Sequence, residues 1–109
     1  MKRILLTCLL LSPLAAGAAS FDCNKAKQAD EKAICAHRTL NDKDVVMSTK
    51  YQFLKGLFAM GRRGEMQDDQ RSWLKTRKQC GADTACLNRA YDTRLQQLDA
   101  IYASIDKPL

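Results

Sequence analysis

Apolar residues recur at helical spacing through most of the chain, and no stretch alternates apolar and polar residues over the length of a strand. Spacings of three and four residues place apolar side chains on one face of a helix. The pattern predicts an all-α fold, a small bundle of about four helices. Short connections between the helices make neighbouring helices antiparallel.

The first two predicted helices lie in the N-terminal half. The first covers residues 28–37, and Asp30 and Glu31 fall in its first turn, where negative charge complements the helix N-terminus. The second opens at Asn41 or Asp42, because both residue types favour the N-cap position. We therefore expect a short helix followed by a long amphipathic one.

Residues 61–64, Gly-Arg-Arg-Gly, interrupt the helical pattern. Two glycines within four residues favour a turn, and the two arginines have no apolar neighbours to pack on. A third helix over residues 65–79 follows and is closed by Gly81. Thr84 caps a fourth helix that ends before Pro108. The core residues predicted on these two helices are Trp73, Leu74, Leu87, Leu95 and Leu98.

The first twenty residues have the composition of an export signal. A basic start precedes an apolar run that is too short to span a membrane, and small residues follow. The triplets at residues 16–18 and 18–20 both suit cleavage, which places the new N-terminus within a residue or two of Phe21. We divide the chain into a cleaved signal peptide, residues 1–20, and one helical domain, residues 21–109.

Four cysteines remain once the leader is removed, namely Cys23, Cys35, Cys80 and Cys86. In a small exported domain they predict two disulfides. Three connectivities are open, and the pairs Cys23–Cys35 and Cys80–Cys86 are favoured because they close the shortest loops. A zinc site is the competing interpretation, but the spacings are not those of zinc ligands and His37 is the only histidine.

Length and charge narrow the class of protein further. A chain of 109 residues forms one small domain, and removal of the basic leader lowers its formal net charge from +6 to +4. No later segment is long and apolar enough for a membrane span. The export signal argues against a nucleic-acid partner despite the basic charge. We expect a soluble protein in the periplasm or secreted from the cell.

Asp44 stands where an apolar residue is expected, in a helical series between Leu40 and Met47. A carboxylate that points into a core needs a partner, because its burial alone is costly. Arg77 and Arg94 are the predicted partners. The other members of this structural polar network are Tyr51, Gln70 and Tyr91. We interpret the network as a device that fixes helix packing.

The aromatic residues and the histidine each allow a functional interpretation beside a structural one. Trp73, Tyr91 and Tyr102 are aromatic residues suited to a sugar-binding shelf, although their spacing is that of a core. His37 has no nucleophile or acid beside it in the sequence and is interpreted as a solvated helix-end residue. No second acid accompanies Asp44 for cell-wall hydrolysis. We expect a non-enzymatic protein that uses no cofactor and no metal.

Two spaced blocks of the chain resemble the lysozyme inhibitor LprI family, at its N-terminal-like domain, and together they span nearly the whole mature chain. The first block contains Phe21-Asp22-Cys23, Glu31-Lys32-Ala33-Ile34-Cys35, Leu40, Asp44 and Tyr51. The second contains Gln70-Arg71-Ser72-Trp73-Leu74, Arg77, Cys80, Cys86-Leu87, Tyr91, Arg94-Leu95 and Leu98. The chain departs from the family pattern at Lys43 and Ser48, where Leu and Asn are more frequent, and lacks the lipid anchor of the name-giving type.

The resemblance implies an exported inhibitor of a lysozyme or other muramidase that protects the bacterial envelope. A projecting guanidinium suits the two carboxylates of a lysozyme cleft, and Arg62 and Arg63 are the candidates. Glu65, Asp68 and Asp69 complete a mixed-charge contact surface. The alternative is a binding module for an anionic envelope component or a partner protein. The net charge of +4 repels strongly basic lysozymes at long range, so inhibition requires either a local acidic face or another target enzyme.

Overall fold

The structure, a computed structural model, describes residues 19–105. The elements of this range are a 3-10 turn at Cys23–Lys25 and the helices α1 (Ala29–Ala36), α2 (Arg38–Leu57), α3 (Met60–Gln79) and α4 (Thr84–Ser104). The predicted all-α bundle is confirmed, since the described part of the chain contains four α-helices and no strand. Apart from its last two residues, the predicted signal peptide lies outside the described residues.

A single residue, His37, separates α1 from α2 and is the N-cap of α2. The prediction that α2 opens at Asn41 or Asp42 was wrong. The backbone amide of Asn41 instead donates to the carbonyl of His37, at 2.9 Å, within the first turn of the helix. The start of the helix has no side-chain cap. The buried side chain of Leu40 packs in the core and stabilises this first turn instead.

The predicted turn at residues 61–64 was also wrong. These residues form the first turns of α3, and the chain reverses earlier, at Phe58 and Ala59. Arg63 donates from Nε to the carbonyl oxygen of Lys55, at 3.2 Å, and from Nη2 to that of Phe58, at 3.3 Å. Because these bonds join the start of α3 to the end of α2, tertiary contacts outweigh the low helix propensity of the two glycines.

The core lies mainly between α2 and α4, which form the largest helix–helix interface, while α1 and α3 pack against them. Trp73, Leu87 and Leu98 belong to one continuous apolar cluster, as the sequence predicts, and Leu95 packs against its edge. Leu74 does not belong to this cluster and is 37% exposed, so its prediction as a core residue was wrong.

The position of Leu74 follows from the register of α3. The buried residues of this helix are Met66, Trp73 and Arg77, which lie on one stripe at spacings of seven and four residues. Leu74 follows Trp73 by one residue, so it points about 100° away from that stripe. Its leucine side chain was compatible with the core, but the inward stripe of α3 includes an arginine instead.

Disulfides Cys23–Cys35 and Cys80–Cys86 confirm the predicted pairing. The first ties the 3-10 turn to α1, and the second joins the end of α3 to the start of α4. Between α3 and α4, Gly81 has a φ of +58°, a conformation that L side chains rarely adopt. No helix within residues 19–105 combines the length and apolarity that crossing a membrane requires.

Candidate functional site

The carboxylate of Asp44 is fully buried on α2 and has partners at both oxygens. The phenol of Tyr91 donates to Oδ1 at 2.7 Å, and the backbone N–H of Ser20 donates to Oδ2 at 2.6 Å. Arg77 places Nη1 at 3.8 Å from Oδ1. These contacts join α2 to α4, to α3 and to the segment that precedes the first 3-10 turn.

Asp30 on α1 is the second buried carboxylate, only 2% exposed. It accepts a hydrogen bond from Nε of Arg77 at 2.8 Å, and Nη1 of the same arginine donates to the phenol oxygen of Tyr91 at 3.4 Å. We call Asp30, Asp44, Arg77 and Tyr91 the buried network. It links all four helices, with one guanidinium between two carboxylates.

Burial and charge both act on the titration of this network. Burial, and after it the charge of Asp44 and the hydrogen bond to it, raise the pKa of Tyr91 far above its ordinary value. For Arg77, burial disfavours the charged form, but electrostatic interactions and hydrogen bonds with Tyr91 and Asp30 outweigh burial and raise its pKa. The phenol therefore stays a donor and the guanidinium stays charged.

Arg94 belongs to a separate group. Its Nε donates to Oε1 of Gln70 at 3.0 Å, and its Nη1 donates to Oε1 of Gln97 at 3.1 Å. The predicted pairing of Arg94 with Asp44 is not seen among the described residues, where Arg77 is the arginine that forms an ion pair with that carboxylate. Gln70 in turn donates to the sulfur of Met47 at 3.3 Å, so the predicted network divides into two groups.

The guanidinium of Arg94 is buried without a neutralising hydrogen-bonded carboxylate within residues 19–105. Its Nη2 has no hydrogen-bond partner there. Burial lowers the pKa of Arg94, and the charge of Asp69 opposes this only in part. A cation that is 3% exposed and bonded only to amides is an unusual feature, because buried charges are normally paired.

Arg94 lies on the wall of a groove of about 1010 Å³ between α3 and α4. The Cys80–Cys86 disulfide also lines this groove, which we call the α3–α4 groove. Its charged lining residues are Arg62, Asp69, Arg89 and Arg94, and its polar ones are Ser72, Thr76, Gln79, Thr93 and Gln97. Three arginines against one carboxylate give this concave surface a positive balance.

The predicted contact residues on α3 do not form one common surface. Arg62 pairs with Glu65 at 2.9 Å, and Arg71 pairs with Asp68, both through exposed side chains. Arg62 and Asp69 line the α3–α4 groove. Arg63 differs from them, because its guanidinium is bonded to the carbonyls that end α2. The predicted pair of projecting arginines therefore does not form.

The alternative of an aromatic shelf is not seen among residues 19–105, and Trp73 packs in the core as its spacing predicts. Trp73 packs edge to face on Tyr91, with ring centroids 5.0 Å apart, and its Nε1 donates to the carbonyl of Ala90 at 2.9 Å. Tyr102 lies instead against Phe53, with ring centroids 6.3 Å apart. Trp73 is thus a core residue whose buried polar atom is satisfied within the bundle.

Tyr51, the remaining predicted network residue, is buried on α2. Burial raises its pKa, while the charges of Arg94 and Arg71 act in the opposite direction. The ammonium of Lys55 lies 5.3 Å from the centroid of its ring. Tyr51 therefore contributes to the environment of Arg94 and lies outside the chain of hydrogen bonds around Asp44.

Sequence reasoning missed two residues of the site. Asp30 lies in the first turn of a helix, where an acidic residue is favourable in itself, so nothing in the sequence indicated that it is a buried partner of an arginine. Gln97 is exposed, yet it contacts the buried Arg94 from the next turn of α4. A spacing of three residues on one helix was the available signal for this contact.

No family model, curated protein or solved structure matches this chain. The proposal of a function therefore starts from the geometry of the α3–α4 groove.

Proposed function

We propose that this chain is an exported, non-enzymatic binding protein, and that its α3–α4 groove receives an acidic group of its partner. The observation that supports this most directly is the buried guanidinium of Arg94, which has amide partners and an Nη2 without a hydrogen-bond partner among the described residues. A carboxylate in the groove supplies the missing negative charge.

The chemistry of guanidinium groups favours a carboxylate ligand. An arginine presents N–H groups in a planar fork that matches two carboxylate oxygens, and such charge-assisted bonds are stronger than bonds to amides. Gln97 is exposed and holds Nη1 by a single bond, so its amide is the partner that an incoming carboxylate displaces. Rotation of Gln97 away from Arg94 opens the guanidinium to the groove.

A muramidase is the partner that we propose first, on the resemblance to the LprI family. Arg62 and Asp69 remain in the proposed contact surface, because both line the α3–α4 groove. Arg63 is removed from it, because its guanidinium holds the α2–α3 connection. In this proposal the groove binds an acidic side chain of the enzyme, and the rest of the helical bundle covers the substrate cleft.

An anionic envelope component is the second candidate, and the charge of the groove favours it. Arg62, Arg89 and Arg94 line one concave surface, whereas Asp69 is the only acid that residues 19–105 contribute to that lining. A polymer with repeated negative charges gains from several weak contacts of this kind. Its binding weakens steeply with salt, whereas binding to a complementary protein surface persists.

The test is a cell-wall lysis assay with the oxidised protein purified from the exported fraction of bacteria that express the full chain. It is titrated against animal-type and goose-type lysozymes at low and physiological salt. We expect near-stoichiometric inhibition of one enzyme that persists at physiological salt. Thr93→Glu, which adds a negative charge at an exposed position of the groove, should raise the inhibitory concentration at least tenfold.

Gln96→Glu is the matched control, because it adds the same charge to an exposed position of α4 outside the groove lining. It should leave inhibition unchanged. If neither lysozyme is inhibited but an anionic cell-wall polymer binds and Thr93→Glu weakens that binding, the second candidate replaces the first. Equal effects of the two substitutions would remove the α3–α4 groove from the function.

A further inference from the structure

The backbone nitrogen of Ser20 lies at an unusual place for a main-chain amide. It donates to Oδ2 of Asp44 at 2.6 Å, and this carboxylate is fully buried. A separation of 2.6 Å is at the short end even for a charge-assisted N–H···O bond. The other carboxylate oxygen already accepts from the phenol of Tyr91.

The charges around this contact do not balance. The buried network contains two carboxylates, Asp30 and Asp44, and a single guanidinium, Arg77. Arg94 is the other buried cation, but it bonds to Gln70 and Gln97 and forms no ion pair with Asp44 among the described residues. A second positive charge at Asp44 would neutralise the network.

The peptide bond before Ser20 has the sequence features of a processing site. Gly17 and Ala19 stand at the third and first positions before that bond, where leader peptidases require small residues. The position lies between the two cleavage sites that the sequence alone suggests. Ser20 itself is exposed, so the new terminus would remain in contact with water on one side.

We propose that the leader is cleaved between Ala19 and Ser20 and that the resulting α-ammonium of Ser20 forms an ion pair with the buried carboxylate of Asp44. This inference rests on the proposed export. In the hydrolysis the hydroxyl of water joins the carbonyl carbon of Ala19, and the C–N bond breaks. The Ser20 nitrogen takes the remaining proton and one more from solvent, which gives a positive charge at the site of the present amide.

The surroundings accommodate this product. Ala19 is buried but does not belong to the continuous apolar cluster, so its departure leaves that cluster intact. An α-ammonium has three N–H groups, of which one keeps the bond to Oδ2 and the others face water. Processing therefore replaces the uncharged donor of this hydrogen bond by a charged one, which converts the contact into an ion pair without moving Asp44.

The new terminus touches Asp44, and the charged and titratable groups of the network around this carboxylate come from every helix. They are Asp30 on α1, Asp44 on α2, Arg77 on α3 and Tyr91 on α4. The two carboxylates stabilise the ammonium and Arg77 opposes it, and Asp44 is the group that accepts its hydrogen bond. The pKa of the α-ammonium should lie above its value in the unfolded chain. Its contribution to stability is then present below the unfolded pKa and lost as pH rises through the folded pKa.

The first experiment is intact-mass analysis of the protein purified from the exported fraction after expression of the full chain. We expect a mass that corresponds to residues 20–109 with two disulfides. A product that begins at Ala19 or Phe21 would overturn the inference and leave export intact. An uncleaved chain in every fraction would overturn the proposed export as well.

The second experiment measures the charge of the terminus. The α-amine reacts with a limiting amount of acetic anhydride only as the free base, so its acylation rate at pH 7.5 reports its pKa. We expect the folded protein to react at least tenfold more slowly than the same chain reduced and unfolded in urea. Asp44→Asn should restore most of that rate. Equal rates for folded and unfolded protein would exclude the ion pair, whether or not the variant folds.

Discussion

Tyr91 on α4 connects α2 and α3 through two hydrogen bonds of its phenol. Its phenol donates to Asp44 and accepts from Arg77, and its side chain is fully buried. Removal of the hydroxyl would leave an oxygen of Asp44 with one donor fewer in a place that water does not reach. Loss of such a bond to a charged group costs about 1.5–3 kcal/mol.

Alkaline pH should destabilise the protein through this same residue. The unfolded chain loses its tyrosine protons above about pH 10, whereas Tyr91 in the folded state keeps its proton because its pKa is raised. Its contribution to stability is therefore present below that pH and decreases above it, by about 1.4 kcal/mol per pH unit. Urea denaturation between pH 8 and 11 measures this slope.

Tyr91→Phe should lower stability at neutral pH and flatten the alkaline slope. The matched control is Tyr102→Phe, since Tyr102 is 45% exposed and lies away from Asp44. This control should retain the slope of the wild type. A slope that Tyr91→Phe leaves unchanged would mean that another group governs alkaline unfolding.

The sequence predicted the burial of a charged residue only where no role within its own helix could explain that residue. Asp44 breaks an apolar helical series, so its burial could be inferred from its neighbours in sequence. Asp30 breaks no series and suits a helix N-terminus, so the sequence left its long-range contact with Arg77 invisible. The choice of Arg77 over Arg94 as partner of Asp44 depends on helix register, which the sequence alone does not define.

The start of α3 shows how tertiary contacts decide the length of an element. Gly61 and Gly64 reduce helix propensity, and the sequence pattern of residues 61–64 predicted a turn on that ground. The helix nevertheless includes both glycines, and the buried Met66 holds its first turns to the core. Existence and order of the helices followed from periodicity, but their ends followed from packing.

Gly61→Ala and Gly64→Ala should each stabilise the protein by about 0.5–1 kcal/mol, because alanine restricts the unfolded chain and favours a helix. A Cβ at either position meets no atom within 4 Å. Thermal or urea denaturation measures the gain. A loss of stability in either variant would indicate that this segment is not helical.

Gly81→Ala is the control for these substitutions. Its φ of +58° strains any L side chain, although a Cβ there also meets no atom within 4 Å. It should destabilise the protein by about 1 kcal/mol. The expected changes in stability have opposite signs at Gly64 and Gly81, although both positions have space for a Cβ. Such a result would show that backbone conformation, not available space, determines the effect.

At the scale of the whole molecule, two disulfides stabilise different parts of one small domain. They close loops with sequence separations of 12 and 6 residues. Serine replacement of either pair should cost about 2–3 kcal/mol on the chain-entropy model. Denaturation of each double variant in urea measures this loss.

The two pairs should differ in their effect on binding. Cys80 and Cys86 line the α3–α4 groove, whereas Cys23 and Cys35 lie in the 3-10 turn and α1. Serine replacement of Cys80 and Cys86 should therefore weaken inhibition or polymer binding under conditions in which the protein remains folded. The Cys23 and Cys35 variant is the matched control. A larger loss of binding in that control would mean that the binding surface is not the α3–α4 groove.

The buried network also divides the chain into two complementary halves. Its carboxylates, Asp30 and Asp44, come from α1 and α2, and its donors, Arg77 and Tyr91, come from α3 and α4. Both the Asp30–Arg77 and the Asp44–Tyr91 contacts bridge 47 residues of sequence. Each half has its own disulfide, yet neither can satisfy its buried groups without the other. The protein should consequently unfold in one cooperative transition, and two fragments separated at the α2–α3 connection should assemble into a single folded heterodimer.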